Sequence, residues 1–289
     1  TGLLGRTLGV IELLASNAQG LALIEIADRL AIPRSATHRV LAQLAEQGYV
    51  RQDRHQGAYV LTAKIASLAF KFLSGSGITD VAQPILDRLA RDTGELVRLA
   101  IVDGQELTWV AKAQGSSVGL RYDPDMGDRG RLSCSASGLA WLATMPDEAA
   151  LALVERQGYG SRQEYGPRAP QTPAALVRHL RQARRIGYSV TVLTFTPWMS
   201  AMAAAIHHPA SGEVTGTVSI AGPYVRLAEG RMHEMAPLLL ASAGELSLAS
   251  TASPALSGRT GRTPPDAVLE EGAMSKVRIF MSFDLDIGY

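Results

Sequence analysis

Pro33 and Gly48 bracket one short stretch of chain, and that punctuation limits the N-terminal part more than any other feature. Proline pre-sets φ and needs no N–H partner, so it suits the opening of a helix. Glycine reaches the left-handed conformation that commonly ends one. Between them Val40, Leu41 and Leu44 fall on one face, the spacing of an amphipathic helix. Val10, Leu13 and Leu14 predict a helix before it, and Ile24, Ala27 and Leu30 a short second one that ends near Ala31-Ile32-Pro33. After Gly48, Tyr49-Val50 begins a strand, Gln56-Gly57 turns it and Tyr59-Val60-Leu61 returns. The pattern is a tri-helical core with a β-wing.

Charge supports a polyanion at this head. The 289 residues carry 28 Lys and Arg against 27 Asp and Glu, a net +1, which excludes a uniformly basic coat for nucleic acid. Residues 1–74 nevertheless hold eight basic groups against five acidic ones, +3, and the remainder sums to −2. A helix-turn-helix puts the start of its second helix at base edges in the major groove. Here that helix begins Pro33-Arg34-Ser35-Ala36-Thr37-His38-Arg39-Val40, so Arg34, Ser35, Thr37, His38 and Arg39 are the candidate DNA contacts. Arginine grips guanine with two hydrogen bonds, and Ser and Thr serve bases or phosphates. The wing adds Arg51, Arg54 and His55 for phosphates or the minor groove. A solvated basic helix explains any one of these residues; the combination of short helix, proline turn, donor-rich helix and wing points to double-stranded DNA.

A helical stretch from Ile65 to Leu73 is broken at Ser74-Gly75-Ser76-Gly77, a domain boundary. The expected organisation is a winged helix-turn-helix over 1–74, a linker helix over 75–91, a second domain over 92–250 and a flexible tail over 251–289. Asp80 to Arg91 reads as amphipathic helix, and strands are expected at Leu96–Val102, Leu107–Ala113 and Val118–Tyr122, with a hairpin turn at Asp103-Gly104. Helices follow at Ser135–Ala143 and Pro173–Ile186, then strands at Tyr188–Phe195, Met202–Ile206 and Val214–Ile220, and a closing helix near 228–248. The fold class is α+β, an antiparallel sheet with packed helices. Ser, Thr, Gly and Pro dominate residues 250–265, and the Gly-Ala-Met junction at 272–274 reads as the start of a non-native extension.

No apolar run approaches the roughly 18 residues of a membrane span, and no signal-peptide pattern opens the chain, so a soluble cytoplasmic protein without membrane partners is expected. Cys134 is the single cysteine. It rules out an internal disulfide and a Cys-only metal cluster within one chain. His207-His208 lacks a Cys or acidic companion at ligand spacing, so no metal is expected, and no cofactor either.

The strings "LIEIADRLAIPRSATHRVLAQLAEQGYVRQD" and "GAYVLTAKIASLA" resemble the winged-helix head of the isocitrate lyase regulator (IclR) family of bacterial transcription factors. "LAIVDGQELTWVAKAQG", "GRLSCSASGLAWLA", "RRIGYSVT" and "VTGTVSIAGP" are similar to successive landmarks of that family's effector domain, so the likeness covers about residues 5–249. It implies a GAF-like effector domain, a homodimer or dimer of dimers, and a small organic effector, often a carboxylate or aromatic acid. The same likeness places Ala136 and Ser137 on one wall of the effector cup and Thr191, Met199, Ala201 and Ser219 opposite. Departures from the family pattern are Ala36 where Thr is frequent, Leu23 where Ser or Thr is, and Ser133 where His is common. The last argues against a metal site built on that histidine.

Chemically the cup is coherent. Hydroxyls and helix-start N–H groups of Ser135, Ala136 and Ser137 suit a carboxylate, and Tyr122, Phe195 and Trp198 suit an aromatic ring. Three functions follow from different features. The expected one is a ligand-responsive regulator, repressor or activator, that binds a pseudo-palindromic operator and is not an enzyme. A non-DNA metabolite-binding or scaffold protein would use the winged helix on protein. A hydrolase would use Cys134 or Ser135 near a helix start, where the dipole lowers a thiol pKa, with His179, His207, His208 or His233 as base.

Overall fold

The computed structural model describes residues 2–53, 57–75, 77–117, 119–122, 124, 130–161 and 163–250. The head opens with α1 (Leu3–Ala15), α2 (Leu23–Arg29) and α3 (Arg34–Glu46), closed on Val10, Leu14, Ile26, Val40, Leu41 and Leu44. Helix α2 has no Ser or Thr cap; instead the Glu25 carboxylate accepts from Ala22 N at 2.9 Å, the reciprocal half of a capping box. Helix α3 ends as Gly48 predicts, with φ +73°, Gly48 N on Ala45 O at 2.9 Å and Tyr49 N on Leu44 O at 2.8 Å. That pair of bonds is a Schellman motif. Strands β1 (Val50–Gln52) and β2 (Tyr59–Leu61) form the wing, Val50 opposite Leu61.

One face was misassigned by the sequence reading. Ile24 is 49% exposed and Ile26 takes its place in the core beside Ala27. Because α2 starts at Leu23, its inward stripe is 23, 26, 27 and 30, the i, i+3, i+4, i+7 rule begun one residue earlier.

The helix expected over Ile65–Leu73 and the linker helix after it are both present, the second starting later than residue 75. Helix α4 (Ala63–Gly75) is followed by a wide turn at Ile78–Ala82 and then by α5 (Gln83–Thr93). Gly77 enters that turn at φ +71°, a conformation open to glycine that interrupts a continuous linker helix.

The body is a five-stranded antiparallel sheet in the order β4-β3-β7-β6-β5. Its strands are β3 (Leu96–Asp103), β4 (Glu106–Gln114), β5 (Ser189–Val192), β6 (Met199–His207) and β7 (Val214–Pro223). One face carries Val97, Leu99, Met202, Ala204, Ile206, Val218 and Ile220 against α5 and α9 (Glu229–Ala249). The other carries Ala100, Leu107 and Trp109 against α6 (Ala136–Leu142), α7 (Asp147–Gln157) and α8 (Pro173–Ile186). With both faces covered, β7 is buried almost end to end, and the alternation that marks a half-exposed strand disappears. Residues 119–122 are not a strand: Gly119 sits at φ +76° and Leu120 is 59% exposed, so the apparent alternation is broken at its second residue. Among the described residues no helix is long and apolar enough to cross a membrane. The tail over 251–289 lies outside the described residues.

Candidate functional site

Sheet register gathers the cup. Thr191 pairs with Ala201, and Arg98 and Ala203 both pair with Ser219. Residues directly opposite one another share a face, so Thr191, Ala201, Ser219 and Arg98 converge under α6. They line a small pocket of about 10 Å³ with Met199, Trp109, Phe195 and, from the start of α6, Ser135, Ala136 and Ser137.

Close packing holds α6 there. A Cβ on Gly138 would lie 2.5 Å from both Cα and O of Leu132, so only glycine lets the helix sit this near the preceding turn. Ser135 caps the helix, its Oγ accepting from Gly138 N at 3.0 Å. Two hydroxyls pin the helix start from the β5 side: Ser189 donates to Ala136 O at 2.7 Å and Thr194 to Cys134 O at 2.7 Å. Thr191 donates to Ala201 O at 3.1 Å and Ser219 to Arg98 O at 3.4 Å. Much of the predicted hydroxyl set is thus already engaged with backbone.

Two lining residues escaped the sequence reading. Arg98 is 4% exposed, and its guanidinium carbon lies 3.9 Å from the centre of the Trp109 ring. Trp109 in turn meets Phe195 edge-on at 6.2 Å. The available signal was parity, since Arg98 shares its side of β3 with Leu96 and Ala100. Conversely, Trp198 is not among the cup's lining residues: it is 44% exposed and meets Tyr122 edge-on at 5.5 Å and 73°. Tyr122 is buried behind the lining, 5.7 Å from the Arg98 guanidinium. Its segment is tied down by Arg226, which donates to Leu120 O at 3.0 Å while gripping the buried Glu95 carboxylate at 2.6 and 2.8 Å.

Cys134 is no activated nucleophile. Burial pushes its thiol up to about 12, which keeps it protonated at neutral pH. The candidate bases are engaged elsewhere: His207 with Gly212 O, His208 with the N–H groups of Ala210 and Ser211, His233 with the Tyr188 hydroxyl at 2.6 Å. His179 is pushed down by burial and by neighbouring Arg178. Among the described residues no group of three His, Cys, Asp or Glu is placed to hold a metal.

On the head, Arg34, Ser35, His38 and Arg39 are exposed along one side of α3, and Arg51 is exposed on the wing. Thr37 is not among them. It falls on the inward stripe with Ala36, Val40, Leu41 and Leu44, is 0% exposed, and donates its hydroxyl to Pro33 O at 3.2 Å. Arg54 and His55 lie outside the described residues.

Comparison with known proteins decides the family. The IclR helix-turn-helix domain matches residues 3–54, and the bacterial transcriptional regulator IclR C-terminal domain matches residues 70–248. The chain belongs to the IclR family. As an IclR-family protein it is a DNA-binding, ligand-responsive transcriptional regulator. It is 32% identical over 245 residues, 84% of this chain and 85% of the other, to the HTH-type transcriptional regulator BhcR of Paracoccus denitrificans. Identity to the transcriptional repressor IclR of Escherichia coli is 28% over 248 residues, covering 85% and 89%. An IclR homolog from Microbacterium hydrocarbonoxydans, solved with 4-hydroxybenzoate, shares the fold with a TM-score of 0.69 at 22% identity, covering 87% of this chain and 100% of that one.

Proposed function

We propose that this IclR-family regulator reads a pseudo-palindromic operator with the exposed side of α3 and changes its grip when a small organic acid enters the cup under α6. The observation that carries the reading is convergence: residues from β3, β4, β5, β6, β7 and the start of α6 meet in one cavity with a buried arginine in its wall. The IclR homolog complexed with 4-hydroxybenzoate supports an acid as the ligand class. Arg34, Ser35, His38 and Arg39 take the base edges and phosphates, and Arg51 a phosphate beside the wing.

One winged head makes a small interface, so two heads are needed for useful affinity. A homodimer, or a dimer of such dimers, is supported by apolar surface on two helices of the head. Leu3, Leu4 and Leu8 of α1 are 59, 72 and 49% exposed, and Leu68, Phe70 and Phe72 of α4 are 46, 68 and 59% exposed. Exposed apolar patches of this kind mark protein contacts. The acid acts by binding the DNA-competent and incompetent arrangements unequally; equal affinity would shift nothing. It is sensed and not turned over, and the protein works in the cytoplasm beside its DNA.

The test is selection of bound sequences from a random duplex pool by the purified chain, followed by binding at several salt concentrations. An enriched inverted repeat, bound with affinity that falls steeply as salt rises, is expected. No enriched sequence and no salt dependence would replace this reading with a scaffold whose winged helix meets protein.

A further inference from the structure

The cup is lined asymmetrically in hydrogen-bonding character. On its sheet side stand two groups that only donate, the Arg98 guanidinium and the Trp109 indole. Trp109 is 2% exposed, and its Nε1–H has no hydrogen-bond partner among the described residues. A buried donor left unsatisfied is costly and demands an explanation. Along the same sheet face, on β7 and β5, the polarity reverses. The Thr191 and Ser219 hydroxyls spend their single protons on Ala201 O and Arg98 O, so each presents only lone pairs to a ligand.

We propose that the effector is a small hydroxy acid, its carboxylate held by Arg98 and the Trp109 Nε1–H and its hydroxyl donating to Thr191 or Ser219. The proposal rests on the reading of this cup as the effector site and names the ligand chemistry. A carboxylate satisfies the orphan indole donor and matches the fixed positive charge of the guanidinium. A hydroxyl supplies the proton that the β5 and β7 side lacks. An acid without one leaves that side of the ligand facing lone pairs. The open space left between these groups is only about 10 Å³, room for about one water, so a small acid is admitted only as the lining side chains part.

Isothermal calorimetry on the full chain with two matched pairs, lactate against propionate and 4-hydroxybenzoate against benzoate, tests this. The hydroxylated member of at least one pair is expected to bind about tenfold more tightly. Trp109→Phe keeps the aromatic packing and removes only the N–H, and is expected to weaken the bound acid about tenfold. Thr191→Val or Ser219→Ala, whichever residue takes the ligand hydroxyl, is expected to bring the ratio within the preferred pair towards one. Circular dichroism confirms folding of each variant, and if one fails to fold the other carries the test. Acid binding with no preference within either pair and no response to Trp109→Phe would overturn the inference and leave the acid-sensing reading standing. Binding of none of the four acids, with sequence-selective DNA binding intact, would overturn that reading and the inference with it.

Discussion

Arg98 and Trp109 sit together across the β3–β4 hairpin, guanidinium over indole at 3.9 Å, in the wall of the cup. A buried arginine stacked this way tolerates desolvation better than an ammonium, which is more strongly hydrated and lacks a planar face. Arg98→Lys is therefore expected to cost about 1–2 kcal/mol. The measurement is a thermal melt of the ligand-free protein; a midpoint within one degree of wild type would show that the stacking contributes nothing to the fold.

Gly138→Ala tests how tightly α6 is seated. The added Cβ would meet the Leu132 backbone at 2.5 Å, and backbone cannot rotate away. The expected cost is about 1–3 kcal/mol in urea unfolding, accompanied by loss of acid binding, because the start of α6 forms the cup's roof. Full stability with unchanged binding would mean that the helix has room to retreat.

Cys134 makes an alkaline prediction. Its folded-state pKa of about 12 lies above the roughly 8.5 of an unfolded thiol. The stabilisation is present in full below the unfolded value and is lost as pH rises through that window towards 12. The expected slope is about 1.4 kcal/mol per pH unit for one proton. Tyr159 and Tyr188 are also pushed up by burial and act in the same direction at higher pH. The readout is therefore the difference between wild type and Cys134→Ala, which should narrow between about pH 9 and 12. A constant difference would refute the buried neutral thiol. In the same vein, a disulfide reagent should label Cys134 only after denaturation.

Thr37 and Arg34 separate fold from recognition. Thr37→Val removes a hydroxyl that donates to Pro33 O inside the head, and is expected to cost about 0.5–1.5 kcal/mol of stability with operator affinity unchanged. Arg34→Ala should leave the melt unchanged and weaken specific binding by about 1–3 kcal/mol. The reverse outcome, measured at fixed salt, would mean that α3 turns its other face to DNA.

Much of this was legible in the sequence. Helix α8 carries a proline near its start, Leu176 and Leu180 on one face and Gly187 at φ +85° after its end, and its span was readable to the residue. Helix α7 was not seen, because its inward positions are Ala150 and Val154 in a run of alanines that gives no sharp period. The cup's hydroxyl and alanine lining came from family likeness. Arg98 stayed hidden because β3 is an inner strand covered on both faces. In such a strand a charged residue looks like the solvent side of an alternation that is not there. Trp198 was overvalued for the opposite reason, since aromaticity does not reveal whether a loop residue turns in or out.

The most direct measurement is a fluorescence-anisotropy titration of the full chain on its selected operator at one fixed salt concentration, without and with saturating lactate or 4-hydroxybenzoate. The account predicts that at least one acid shifts operator affinity by fivefold or more, with random DNA unaffected, and that Trp109→Phe moves the response to higher acid concentration. Operator affinity that stays the same at every acid concentration, in a protein that calorimetry shows to be acid-bound, would contradict it.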